Sequence, residues 1–179
     1  MQFLPAEIIS CYEVRPDVYT DKRGRFIKIF SQSVYTSAGL RTDWKEEYYS
    51  VSSKNVIRGM HFQVPPYQHA KLVTCLQGEI RDVVVDLRKG SPTYQQCHSV
   101  VLSSITGNCL YIPEGLAHGF LSLTDNVLVA YKVTSEYQPD HDAGVLWNSL
   151  EYDWGIDEPV VSDRDAGFPS LKDMETPFL

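Results

Sequence analysis

The residues best equipped for proton chemistry lie between Val56 and Phe120. Val56-Ile57-Arg58-Gly59-Met60-His61-Phe62-Gln63 opens this stretch and Ile112-Pro113-Glu114-Gly115-Leu116-Ala117-His118-Gly119-Phe120 closes it. Between them, Lys71 begins the apolar run Lys71-Leu72-Val73-Thr74-Cys75-Leu76. Imidazole titrates near neutrality and suits proton transfer, while a lysine drawn into an apolar strand is costly without a partner or a task. Plainer readings exist for both: a core histidine satisfied by one hydrogen bond, and a strand-end lysine with its ammonium in water. Strand alternation puts His61 and Gln63 on one face, and His118 on one face with Phe120, so both histidines can point inward. The same rule separates Arg58 from His61. Either Gly59 carries a bulge that re-aims the strand, the preferred reading, or Arg58 serves another surface.

Carboxylates near these groups are less decided. Asp82 and Asp86 share a face with Ile80 and Val84. Asp86 reads as an ion pair with Arg81 or Arg88, and Asp82 as a weaker candidate to orient a histidine. Ser162-Asp163-Arg164-Asp165 offers a loop carboxylate whose role spacing alone leaves open, and Arg23 and Arg25 read as a solvated turn.

The elements that must position these side chains are short β runs, at 44–53, 56–63, 70–77, 79–88, 97–103, 109–112, 117–123 and 126–134, which predict an all-β sandwich or barrel. Val127, Val129, Tyr131 and Val133 alternate with Leu128, Ala130, Lys132 and Thr134, so Tyr131 should point inward. A short leading strand and turn fit residues 1–20. A strand is expected over Phe26–Phe30, then a short helix capped by Ser31 or Ser33 and ended by Gly39. From Ser135 the chain turns polar and proline-bearing, with apolar anchors at Val145, Trp147, Trp154 and Phe168. It reads as a tail, 135–179, wrapped over a core of about 21–134 within one domain spanning 1–179.

Composition narrows the function. A net charge of -7 disfavours a general nucleic-acid or anionic-membrane surface, though a local basic pocket survives it. Residues Met1–Glu7 have neither a basic nor an apolar leader segment, and no apolar run reaches membrane-span length, so the expectation is a cytoplasmic protein. Cys11, Cys75, Cys97 and Cys109 form no close pair, which argues for reduced, mostly buried thiols.

Gly107, Pro113-Glu114-Gly115 and His118 together resemble the second motif of the cupins, a jelly-roll superfamily, with Ser122 where an asparagine is usual. The first cupin motif supplies His-x-His and a glutamate as metal ligands. Here it reads His61-Phe62-Gln63 with Lys71 in the glutamate position, too few ligands for a tight divalent ion. No catalytic metal and no cofactor are expected. This variant resembles the nucleotide-sugar 4-keto-6-deoxyhexose epimerases typified by the dTDP-4-dehydrorhamnose 3,5-epimerase family, over about Asp21 to Pro169. The signatures are Asp21-Lys22-Arg23-Gly24-Arg25-Phe26, Val56–Gln63, Lys71-Leu72-Val73, Asp82–Arg88 and Tyr111–Phe120.

The resemblance implies His61 as base, Asp165 as its partner, Tyr131 as acid, and Arg23, Arg58, Lys71 and His118 as contacts to phosphate and carbonyl. It adds Gln63 and Phe26 to the substrate-binding set. It also implies a homodimer formed by exchange of N-terminal strands. Glu46-Glu47-Tyr48 replaces a usual Gln-Asp-Asn, and Lys28 a frequent glutamate. Because Glu46 and Tyr48 fall on the nucleotide side of the cleft, a dTDP-, CDP- or GDP-linked sugar fits equally. The alternatives are a C3-only epimerase or ketoisomerase, a metal-dependent cupin, and a sugar-binding cupin without turnover.

Overall fold

Residues 1–179 are described by a computed structural model. Thirteen strands follow in order: β1 (Gln2–Pro5), β2 (Tyr12–Arg15), β3 (Val18–Asp21), β4 (Gly24–Ile27), β5 (Glu46–Ser52), β6 (Ile57–Gln63), β7 (Lys71–Gln77), β8 (Glu79–Asp86), β9 (Cys97–Ser103), β10 (Cys109–Ile112), β11 (Leu116–Ser122), β12 (Val127–Val133) and β13 (Asp142–Gly144). Two short helices, α1 (Gln32–Ser37) and α2 (Asp163–Ala166), lie outside them. One antiparallel sheet runs β1-β2-β10-β7-β12-β5 and a second runs β13-β6-β11-β8-β9.

The period-2 pattern of β12 is realised: Val127, Val129, Tyr131 and Val133 are buried, and Leu128, Ala130 and Lys132 between them are half-buried. Val127, Val129 and Tyr131 meet Ile80, Val84, Leu116 and Phe120 of the other sheet in a shared core. On β8 the apolar run is continuous because both faces are covered. Ile80 and Val84 face the first sheet, whereas Val83, Val85 and Leu87 are covered by Val145, Leu150, Trp154, Leu171 and Phe178 of the tail.

Three local expectations are corrected. The strand placed at Phe26–Phe30 is Gly24–Ile27, because Ile29 and Phe30 leave it to pack under α1. There the Tyr35 hydroxyl donates to the Ile29 carbonyl at 2.9 Å. Ser31 takes the N-cap position of α1 without a side-chain hydrogen bond, and Ser33 lies inside the helix. Asp163–Ala166 is helical where a loop was expected: Ser162 caps α2 by accepting from the Asp165 N–H at 3.1 Å. The first two strands extend the first sheet, β1 pairing with β2 and β2 with β10. The unattached element is the β3–β4 hairpin, with Tyr19 and Phe26 exposed.

The strand carrying His61 has a bulge. Opposite β11, His118 pairs with His61 and Phe120 with Arg58, two steps against three. Arg58 and His61 therefore face the same way. Glycine is needed on both strands at this crossing: a Cβ on Gly59 would lie 2.5 Å from the Gly119 Cα, and Gly59 has φ +132°.

Candidate active site

A cavity of about 540 Å³ opens between the sheets. β6 and β11 place His61 and His118 side by side on one wall, and β7 and β12 place Lys71 and Tyr131 on the other. Arg58, Gln63, Glu46 and Tyr48 also line it.

His61 Nε2 lies 2.8 Å from Asp165 Oδ1, and Asp165 Oδ2 accepts the Gly59 N–H at 3.0 Å. Burial would raise the Asp165 carboxyl, yet the His61 and Gly59 hydrogen bonds and the His61 charge hold it below its ordinary value. An ionised Asp165 accepts the Nε2–H and leaves the His61 Nδ1 lone pair free. That is the tautomer a base requires. The short helix α2, invisible to periodicity at four residues, delivers this carboxylate.

His118 is the counterpart in a drier setting. Its Nε2 is 2.8 Å from Asp82 Oδ2, and both residues are buried. Burial pushes Asp82 up and His118 down, each against the attraction of the other.

Lys71 is only 6% exposed, and the one hydrogen bond its ammonium donates is to the His61 carbonyl at 3.4 Å. Burial lowers it to about 8, with Asp142 and Asp82 pulling the other way. Arg58 also lacks a carboxylate: its Nε donates to Ser52 Oγ at 3.0 Å and Nη2 to the Val51 carbonyl at 3.1 Å. Arg164, by contrast, is matched by Asp142 at 2.5 Å and Lys132 by Glu47 at 2.5 Å. Two uncompensated cations in one cavity call for an anionic ligand. The donors at the cupin ligand positions do not suit a divalent ion. Lys71 cannot ligate, and the Gln63 amide is held by the Tyr67 carbonyl, Ser135 and the Gln138 N–H. No group of three or more His, Cys, Asp or Glu side chains converges to hold a metal.

Arg23 and Phe26 are not in this cavity. Both ride on the β3–β4 hairpin; the Arg23 side chain is 83% exposed and paired with Asp21 at 2.6 Å. Gln63 lines the cavity, and its amide also ties down the segment around Ser135–Gln138. Asp86 is ion-paired with Arg88 at 2.8 Å.

The sequence reading passed over Ser50, His69, Ser135, Tyr137, Asp142 and Arg164, all in the lining. Most of them come from connections and the polar tail, where no alternation marks a face. His69 had a signal in its neighbour Lys71. Burial, with Lys71 and His118 adding, lowers it to about 3, so it stays neutral.

The family model described as dTDP-4-dehydrorhamnose 3,5-epimerase matches residues 5–173. The dTDP-4-dehydrorhamnose 3,5-epimerase of Shigella flexneri is 39% identical over 178 residues, covering 98% of each chain. A solved structure of dTDP-6-deoxy-D-glucose-3,5-epimerase RmlC from Legionella pneumophila, in complex with dTDP-4-keto-L-rhamnose, superposes with a TM-score of 0.92. It is 34% identical and covers 97% of this chain and 94% of its own. ChmJ, a 3'-monoepimerase from Streptomyces bikiniensis in complex with dTDP-quinovose, superposes at 0.87 with 33% identity, covering 94% and 87% respectively. With its sandwich shared almost end to end and the family pattern matched along nearly its whole length, the chain belongs to the dTDP-4-dehydrorhamnose 3,5-epimerase family, isomerases built on the cupin jelly roll.

Proposed function

We propose that the chain epimerises a nucleotide-linked 4-keto-6-deoxyhexose at C3, C5 or both, without a metal or cofactor, in the cytoplasm. The observation that carries this is the pairing of His61 with Asp165 on one wall of the cavity and Tyr131 on the wall opposite. Inverting a carbon beside a ketone requires a base on one face of the sugar and an acid on the other. His61 Nδ1 takes the proton, and the C–H electron pair moves into an enolate whose oxygen becomes negative. Lys71 and His118 stabilise that charge. Tyr131 then delivers its phenolic proton to the carbon from the far face, and both residues re-equilibrate with solvent.

Arg58 grips the diphosphate through a planar guanidinium suited to phosphate oxygens. Arg23 and Phe26 join it from the β3–β4 hairpin of a second copy, in a homodimer. Glu46 and Tyr48 face the nucleotide. Since the Glu46 side chain makes no hydrogen bond, a base carrying an amino group is accommodated as readily as thymine, so the substrate is dTDP-, CDP- or GDP-linked.

Proton NMR in deuterated water, with dTDP-4-keto-6-deoxyglucose and its CDP counterpart, tests the reading. Loss of the C3 and C5 signals is expected with one of them. Loss at C3 alone marks a single-site epimerase. Binding of both without exchange at any sugar carbon would replace the enzyme by a sugar-binding protein.

A further inference from the structure

Tyr131 has a neighbour that the scheme above does not use. Its phenolic oxygen lies 3.1 Å from Ser50 Oγ, and this is the only hydrogen bond of the Ser50 hydroxyl. The ring also lies flat on Tyr48, with centroids 4.8 Å apart and planes 20° from parallel.

Both contacts follow from strand register. Across β5 and β12, Tyr131 stands opposite Tyr48 and Val129 opposite Ser50. Tyr48 and Ser50, two residues apart, face the cavity from the same side of β5. The phenol therefore stacks on its direct cross-strand partner and reaches along the diagonal to the next inward residue. Stacking fixes the ring plane and leaves the hydroxyl hydrogen free to rotate. Only a partner at the oxygen can set where that hydrogen points.

We propose that Ser50 is a positioning residue for the Tyr131 acid, a reading that rests on the epimerase assignment above. With no other acceptor in reach, the Ser50 O–H donates to the phenolic oxygen, leaving the phenolic hydrogen to point at the sugar carbon. When Tyr131 donates, its O–H bond breaks as the enolate electron pair forms the new C–H bond. The resulting phenolate keeps the Ser50 hydrogen bond, now to a charged acceptor. Burial pushes the Tyr131 phenol well up, so the phenolate needs such a donor; the Ser50 bond and the Arg58 charge both act in the opposite direction. Tyr131 recovers its proton from solvent, and His61 loses one to it, so the cycle closes without net proton change.

The test separates abstraction from inversion. In Ser50→Ala, exchange of the sugar proton with deuterated solvent should stay within about twofold of wild type, because His61 is untouched. Net epimerisation should fall by about tenfold or more, as expected for one hydrogen bond lost from an ionising group. Ser50→Thr, which keeps the hydroxyl, should restore it. The Cζ resonance of Tyr131 in protein labelled with [ζ-¹³C]tyrosine, assigned by its absence in Tyr131→Phe, should move in Ser50→Ala and return in Ser50→Thr. An unmoved resonance with unchanged epimerisation overturns the proposal. So does an equal loss of exchange and epimerisation, which would make Ser50 merely structural. If the wild type exchanges no sugar proton, the epimerase reading fails instead, and the carbon shift still decides whether Ser50 sets the phenol.

Discussion

Lys71 shows what the site costs the molecule. An ammonium without a carboxylate is held in a core strand, and its affinity for protons drops to about 8. A lysine with a depressed folded value destabilises the fold wherever it is charged in the native state. That penalty is complete below about pH 8 and is relieved as pH rises from there toward the unfolded value of 10.5, because the unfolded chain then holds a proton the folded chain has released. Replacing Lys71 by Met, of similar length and no charge, should raise the urea midpoint at pH 7, by a free energy of order a few kcal/mol. The gain should shrink toward pH 10. Turnover should fall by roughly 10²–10³-fold through loss of oxyanion stabilisation, with nucleotide affinity little changed. A variant less stable than wild type at pH 7 would show that Lys71 is a structural tie. The sequence already exposed this residue, since a lysine inside an apolar strand conflicts with its surroundings. Ser50 carried no such conflict, for a small polar residue is at home on either face of a strand.

Strands were legible for the same reason that they are stable. Alternation on β12 and the continuous run on β8 each state which faces are covered, and covering sets register. α2 was not legible because one helical turn has no period, and β4 was mistaken at its far end because Ile29 and Phe30 look the same under a helix as in a strand. The bulge on β6 was readable from a contradiction between Arg58 and His61, with glycine at the point where the contradiction had to be resolved. Its dependence on Gly119 was not, since a cross-strand approach is a fact of the fold. A Cβ at Gly119 would sit 2.8 Å from the Arg58 carbonyl and 2.7 Å from Met60 Sδ. Gly119→Ala should therefore push β6 away and displace Arg58 and His61 together. Turnover should drop by about 10²-fold, the cost of a misplacement near 1 Å, and thermal stability should fall with it. Wild-type turnover in a folded Gly119→Ala protein would mean the bulge does not position the base.

At the scale of the molecule, a chain of net charge -7 keeps two unpaired cations in its cavity and holds Arg23, paired with Asp21, on a hairpin belonging to neither sheet. Residue types alone read Asp21–Phe26 as a charged turn, and it is the resemblance that implies substrate contacts at Arg23 and Phe26, because nothing local says what a turn will meet. Yet a hairpin with Tyr19 and Phe26 outward is poorly placed to end in water. If Arg23 completes the cavity of a partner, Arg23→Ala and His61→Ala proteins should complement each other. Each is expected to be nearly inactive alone. In a mixed dimer, the chain lacking Arg23 keeps its own His61 and receives Arg23 from its partner, so one of the two cavities is whole; the other lacks both. Random reassociation makes half the dimers mixed, so an equimolar mixture that has exchanged subunits should recover about a quarter of wild-type turnover. If Arg23 acts within its own chain, no cavity in any dimer has both residues and nothing is recovered. Failure to recover turnover despite demonstrated subunit exchange would therefore place Arg23 outside the partner's site and leave Arg58 as the principal grip on the diphosphate.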